Sequence, residues 1–415
     1  MCHLIYTDTF YMKRKWIRWV SWILLTPIIL FVILMVLLYV PPVQNLLRRE
    51  VTAYASKATG MQIQVERIDL RFPLNLLVRG VEVIQQPDTL LSLESLNVRV
   101  QAWPLIKGKV EVDEVTLSRV AVNSANLMEG MKIKGVLGRF FLQSHGVDLS
   151  NEIAIINQAE LSDTHVQLLM NDTTTTPKDT TASAPVNWKV DLHQLKLKNV
   201  SFSMQLPVDS MRMAAHIGEA AIDDAQADLK NQFYGLKKFL LSGTSASYDT
   251  GTAQPIEGFD ASHIAVRDVR IALDSLLYKG RDMNAVIREF TMNERSGLSV
   301  VSLTGRAYSN DSIISVPGLK LKTPEIDLSA HTYWELVNIP TTGRLSANLN
   351  AYIGKEDVML FAGGLPDSFK EAYPFRPLVI RAGTDGNLKQ MQISRFTVDL
   401  PCFCFRRRRY DRKPG

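Results

Sequence analysis

Residues 61–72 read MQIQVERIDLRF, residues 90–100 read LLSLESLNVRV and residues 115–123 read VTLSRVAVN. All three hold one rhythm: apolar, polar, apolar, two mostly polar residues, apolar, polar, apolar. The apolar positions are Ile63, Val65, Ile68 and Leu70; then Leu91, Leu93, Leu96 and Val98; then Val115, Leu117, Val120 and Val122. The rhythm returns at Leu76, Val78, Val81, Val83; at Leu195, Leu197, Val200, Phe202; at Ile264, Val266, Val269, Ile271; and at Met391, Ile393, Phe396, Val398. Looser copies are Ala220, Ile222, Ala225, Ala227; Ala285, Ile287, Phe290, Met292; and Leu319, Leu321, Pro324, Ile326. Side chains alternate faces along a strand, so a period of two predicts one apolar face. The central offset of three flips the apolar set to the other side, unless a β-bulge absorbs one residue or the strand turns a corner. Central pairs such as Glu66-Arg67, Glu94-Ser95, Ser118-Arg119, Lys198-Asn199, Arg267-Asp268 and Ser394-Arg395 suit either device. Irregular spacing between copies argues against a strict short-period solenoid. The expected fold is mainly β: an N-terminal transmembrane helix and a short amphipathic helix, then an elongated, curved, groove-like sheet of repeated bulged strands. An ordinary β-sandwich, whose strands also alternate, is the plainer alternative.

From Trp19 to Val40 the chain reads WVSWILLTPIILFVILMVLLYV, without a charge. Twenty-two residues of helix span about 33 Å, enough for a hydrocarbon core of about 30 Å. Trp19 and Trp22 near one end and Tyr39 at the other suit the two interfaces, and Pro27 is tolerable in lipid. Lys13, Arg14, Lys15 and Arg18 precede the run, which by the positive-inside rule puts the N-terminus in the cytoplasm and the bulk outside it. Val40-Pro41-Pro42 is a poor cleavage site, so an uncleaved anchor is expected. The division expected is 1–18, a cytoplasmic N-terminus whose true start is read as Met12; 19–40, the anchor; 41–60, an amphipathic helix with Val43, Leu46, Leu47, Val51 and Tyr54 near one stripe. This helix is expected to pack on the end of the sheet, capping its edge, or to lie at the membrane surface. Then come 61–170, a first β region; 171–186, a polar flexible loop; 187–400, a second β region; and 401–415, an atypical basic tail read as the mark of a truncation or frameshift. Residues 128–141 read as strand or loop, and 356–373 as one or two short helices.

The net charge is +5, with basic clusters near both ends and a nearly balanced body, so no nucleic-acid partner is indicated. The three cysteines are Cys2, Cys402 and Cys404, which leaves the body without a disulfide framework or a CxxC motif. No phosphate loop, GxSxG elbow or HExxH is present. The seven histidines are scattered singly and read as surface or edge residues. Asp223-Asp224 point to opposite faces of a strand. Neither a catalytic constellation nor a cofactor or metal site is expected, and the chain is read as no enzyme.

The basic MKRKW start, the anchor, the short amphipathic helix and the strand entry TGMQIQVERIDLRF resemble the N-terminal part of the AsmA-like superfamily. The segment LLSLESLNVRVQAWPLIKGKVEVDEVTLSRVAVN resembles that family's turn through an L-x-x-G-K connection into the next strand. Gly364-Leu365-Pro366 followed by PFRPLVIRAGTDGNLKQMQI looks like the TamB (translocation and assembly module) branch in a Bacteroidetes-type form. The likeness covers roughly 12–400; the family's large C-terminal domain is absent, and 402–415 match nothing in it. The resemblance implies an inner-membrane-anchored periplasmic protein and a long gutter-like sheet with an apolar inside. It also implies a role in outer-membrane protein assembly and in phospholipid movement between membranes, beside an outer-membrane assembly protein of the Omp85/TamA type. The expected groove lining is Leu96, Val98, Leu117, Val120, Leu197, Val200, Phe202, Val269 and Ile271. Plain core packing explains each of these singly as well. The alternative function is an anchored periplasmic β-sandwich scaffold or binding module with no lipid conduit.

Overall fold

The computed structural model describes residues 39–71, 74–85, 88–101, 111–124, 130–148, 151–170, 187–338, 342–362, 366–400 and 403–406, with the single residues 26, 36 and 104. Most of the expected anchor, including Trp19, Trp22 and Pro27, lies outside them, as do the polar segment 171–186 and most of the tail. Among the described residues no helix is long and apolar enough to cross a membrane.

The described chain is mainly β, and its strands join one sheet of nineteen. Helix α1 (Pro41–Thr59) leads into β1 (Gln62–Arg71), β2 (Asn75–Gln85), β3 (Asp88–Val100), β4 (Val112–Asn123), β5 (Met131–Asp148) and β6 (Ile153–Met170). Then follow β7 (Lys189–Leu206), β8 (Met211–Asp228), β9 (Phe233–Asp249), β10 (His263–Lys279), β11 (Asp282–Glu294), the short β12 (Ser299–Val300) and β13 (Ser302–Ser309). β14 (Ile313–Lys322), β15 (Ile326–Glu335) and β16 (Leu345–Ile353) precede α2 (Lys355–Phe361) and α3 (Asp367–Ala372); β17 (Leu378–Gly386), β18 (Met391–Leu400) and β19 (Phe403–Arg406) finish the sheet. Neighbours in sequence are neighbours in space, and β13 bonds directly to β11 beyond the short β12. Among the described residues no register pairing closes β1 onto the last strand, β19, so the sheet is open, and the packed second sheet of a sandwich is not found there.

All pairings are antiparallel except β6 with β7, which run parallel from Ile153 beside Lys189 to Leu169 beside Gln205. A parallel neighbour cannot be reached by a tight hairpin; the chain must return the length of the strand. The connection from Met170 to Lys189 holds the polar segment 171–186. The two expected β regions are therefore hydrogen-bonded side by side in one sheet.

The central pairs of the rhythm are kinks set at the same level on neighbouring strands. Val65 faces Val81 and Arg67 faces Arg79, leaving Glu66 and Gly80 opposite one another. The same break continues through Glu94, Arg119, Gly138, Asp163, Asn199 and Gly218. Both partners carry the extra residue, so the register is identical on either side. From β1 to β9 the expected bulge or corner is thus a matched kink, one continuous crease across the strands; at Arg267-Asp268, Arg288-Glu289 and Ser394-Arg395 the register does shift, as a bulge requires. Gly80, Arg119, Asp163 and Asn199 take left-handed backbone there, with φ of 58°, 47°, 51° and 53°, a region in which Gly, Asn and Asp carry the least steric penalty. Gly138 lies opposite Asp163, where a Cβ would stand 2.7 Å from the Asp163 Cβ. That close approach explains a glycine within residues 128–141, of which 131–141 lie in β5.

A second crease crosses the longer strands six residues from the first, through Asn157, His193, Asp224 and Lys237. It divides these strands into three facets. Both creases bend towards the apolar face. Leu93, Thr164, Ala220, Thr244 and Val269, beside the first crease on the inside, are buried. Arg119 and Lys237, at the creases on the outside, keep 76% and 79% of their side chains exposed. Arg119 pairs with Glu94, Asn199 donates to Asp163 and Lys237 to Asp224, so polar pairs line the outer ridges. Leu319, Leu321, Pro324 and Ile326 hold no such kink: they flank the hairpin turn between β14 and β15. Phe403–Arg406, within the stretch read as an atypical basic tail, adds a strand beside Thr397–Leu400.

Helix α1 starts on Pro41 and stops at Gly60, whose φ is 70°, as the sequence predicts. It lies along the outer edge of β1. Gln44 donates to the Leu70 carbonyl at 3.1 Å, Arg48 to the Glu66 carbonyl at 2.7 Å, and the Ser56 hydroxyl accepts from the Ile63 N–H at 3.1 Å. Capping of the edge is thus observed, through a polar stripe and not the apolar one.

Substituting Gly80→Ala puts a Cβ 2.6 Å from the Glu66 carboxylate and an L side chain into left-handed backbone. The variant is expected to lose roughly 1–2 kcal/mol of unfolding free energy in urea titration; unchanged stability would show that the crease does not require glycine there.

Candidate functional site

The creases align the repeat positions into rows that cross the strands. One row passes from Ile68 through Val78, Leu96, Leu117, Phe140, Leu161, Leu197, Ala220, Leu241 and Ile271 to Phe290, each opposite the next. A second, on the same face, passes from Leu70 through Leu76, Val98, Val115, Leu142, Ala159, Leu195, Ile222, Phe239 and Leu273 to Ile287. Across the crease lie Val65, Val81, Leu93, Val120, Leu137, Thr164, Val200 and Ile217. Ten strand spacings of about 4.8 Å make the longest rows about 48 Å long. The apolar face forms the inside of an open trough.

No second layer covers this face among the described residues. The buried apolar residues are small or aliphatic, such as Ile68, Leu93, Ala159 and Val269; no Phe, Trp, Tyr or Met is among them. A closed core of a large domain would bury such side chains. Instead Phe202, Met213, Tyr234 and Tyr278 remain partly exposed. Near one end of the strands the trough deepens into a hollow of about 200 Å³, lined by Phe202, Met213, Ala215, Tyr248, Ile264 and Val266 among others. Tyr234 and Tyr278 stack 6.2 Å apart towards the opposite strand ends.

All nine residues expected to line a groove share the apolar face. Leu96, Leu117, Leu197 and Ile271 lie in the first row and Val98 in the second. Val120 and Val200 lie across the crease, with Phe202 one row beyond. Their environments differ: Val269, opposite Thr244, is 7% exposed, whereas Phe202 is 40% exposed. The second crease was missed in the sequence. Its signal is the same offset displaced, Val190 and Leu192 followed by Leu195 and Leu197.

The polar groups are structural in their placement. His263 is buried rather than at the surface, and its Nδ1 lies 2.8 Å from Asp260 Oδ2. The Ser262 backbone N–H, followed by His263, holds the Asp260 carboxyl below its ordinary range. Burial pushes the nearby Glu294 carboxyl up, but hydrogen bonds from Ser296 and from the Ala265 N–H outweigh it, and its pKa falls. Together these carboxylates tie down the turns at one end of β10 and β11. On the convex face His216 bonds Ser201 at 3.0 Å and His165 bonds Gln167 at 2.8 Å; both pairs stand in solvent. Asp223 and Asp224, expected on opposite faces of a strand, are both set on the outer face by the second crease between Ile222 and Ala225; there Asp223 meets Gln194 and Asp224 meets Lys237. Among the described residues no three His, Cys, Asp or Glu side chains converge to hold a metal ion.

No protein-family model matches the chain, and no curated protein matches it.

Val269→Asp places a charge in a buried site and is expected to cost on the order of 3 kcal/mol, while Phe202→Ser costs on the order of 1 kcal/mol; equal losses in denaturant titration would place Phe202 in a packed core. The Asp260 carboxyl titrates lower in the folded chain than its ordinary 3.8. Its contribution is thus full above that value and is lost as pH falls below it. Hydrogen-exchange protection of Ile256 and Ser262, whose amides donate to Asp260, should drop in that acid range, and Asp260→Asn should remove the pH dependence.

Proposed function

We propose that this chain is a non-enzymatic, membrane-anchored envelope protein whose open apolar trough shelters the acyl chains of phospholipid between two membranes. In this reading residues 19–40 anchor it in the inner membrane, with Trp19, Trp22 and Tyr39 at the interfaces and Pro27 within the span. The bulk stands in the periplasm. Its activity supports outer-membrane protein assembly beside a partner of the Omp85/TamA type, as the sequence resemblance to the TamB branch implies.

The observation that carries the reading is the pair of apolar rows, each about 48 Å long, with no layer over them among the described residues. One leaflet of a bilayer gives an acyl chain about 15 Å of hydrocarbon, so the rows exceed the chain they would shelter about threefold. Each CH₂ kept from water is worth about 0.8 kcal/mol, so a sixteen-carbon chain needs on the order of 12 kcal/mol of cover throughout its path. A continuous lining supplies this without a barrier between separate pockets. The polar ridges along the outer creases suit a convex face in water, while head groups remain at the open mouth.

Photo-crosslinkers placed at Leu117 or Phe202 should capture phospholipid from membranes. Protein adducts alone, or none, would favour the scaffold or binding module. Leu117→Arg puts a charge within the first row, between its β1 end and Phe202, and should abolish lipid capture at Phe202 while circular dichroism stays unchanged. Global unfolding of that variant would instead place Leu117 in a sealed core.

A further inference from the structure

Helix α1 carries two stripes. Gln44, Arg48, Thr52 and Ser56, spaced four apart, form one; Gln44, Arg48 and Ser56 bond the backbone of β1. The other holds Val51 and Tyr54, with Leu46 at its rim, and these are 46%, 77% and 60% exposed. At 100° per residue Tyr54 lies roughly 120° round the helix from Arg48, so the strand it caps does not cover it. An edge cap alone has no use for large apolar side chains held in water.

The position of the helix in the chain indicates what covers them. The uncharged segment from Trp19 to Val40 ends at Pro41, the first residue of α1. If that segment crosses a bilayer, α1 begins at the membrane interface. At about 100° per residue Arg49 lies well away from Tyr54, Lys57 lies beside Leu46 and Glu50 lies between Tyr54 and Leu46, so the seat is amphipathic and its charged groups reach the head-group layer.

We infer that α1 is a two-sided coupler, seated on the bilayer surface through Val51, Tyr54 and Leu46 while its polar stripe holds the edge of β1. This rests on the anchored reading above and adds an orientation to it. The contacts from Gln44–Leu70 to Ser56–Ile63 set the helix alongside β1 over most of the strand. A helix lying flat in the interface therefore lays β1 parallel to the membrane. The trough crosses the strands, so it rises from the surface with its β1 end at the lipid.

The test uses the full chain with its three cysteines changed to serine, reconstituted in phosphatidylethanolamine/phosphatidylglycerol vesicles. Single cysteines at Trp22→Cys, Gln44→Cys, Tyr54→Cys and Lys389→Cys carry an environment-sensitive fluorophore. The label at 54 should be quenched by doxyl phospholipid and protected from iodide, while those at 44 and 389 show the reverse. A label at 54 open to iodide while that at 22 is quenched by lipid would sink the coupler and leave the anchor standing. If neither is quenched by lipid, the anchored reading fails and the coupler with it. Val51→Glu with a label at 54 should restore iodide access without changing the circular dichroism; retained lipid quenching in that variant would also overturn the inference.

Discussion

One steric constraint underlies the molecule: a strand that changes phase by one residue must hide its apolar side chains on the wrong face unless its backbone kinks there. From β1 to β9 neighbouring strands kink at the same level, so the correction passes from strand to strand without a change of register. Glu66 opposite Gly80, and Asp163 opposite both Gly138 and Asn199, are local examples. The sharp bend needs left-handed backbone at several of these sites, and the sequence answers with Gly, Asn, Asp and, at some steric cost, Arg119. Since the extra residue projects outward, polar side chains gather on the outer ridges and apolar ones on the inner facets.

Depth in this structure comes from bending one layer, where most domains gain it by stacking two. The residues tucked against the creases are buried, while those further out on the facets stay half-exposed. The buried set is consequently small and aliphatic, and the large side chains are left at the surface of the trough. An apolar face of this extent in water marks a surface that binds something, and it is the physical basis for reading the chain as a carrier.

The two edges of the sheet are treated differently. At β1, side chains from α1 occupy backbone carbonyls and one amide that would otherwise invite a foreign strand. At β18, β19 pairs with Thr397–Leu400, and Met391, Ile393 and Phe396 on the neighbouring stretch are partly exposed. α1 serves the edge with its polar stripe because carbonyls need donors, which frees its apolar stripe for another surface.

The rhythm of Ile63, Val65, Ile68 and Leu70 was enough by itself to specify strands, a single apolar face and a break at residues 66–67, because strand periodicity is a local property. The stop of α1 at Gly60 and the short helices near residues 356–373 were legible for the same reason. Residues 128–141 were ambiguous because Gly135 and Gly138 answer to atoms on the neighbouring strand, which sequence spacing does not reveal. Burial of His263 was hidden likewise, since its partner Asp260 matters only once the turn folds over it. The parallel pairing of β6 with β7, the alignment of the kinks into two creases and the failure of the sheet to close depend on contacts between distant segments. Only the tertiary structure decided these: a strand fixes which face is apolar, and its neighbours fix whether that face is covered.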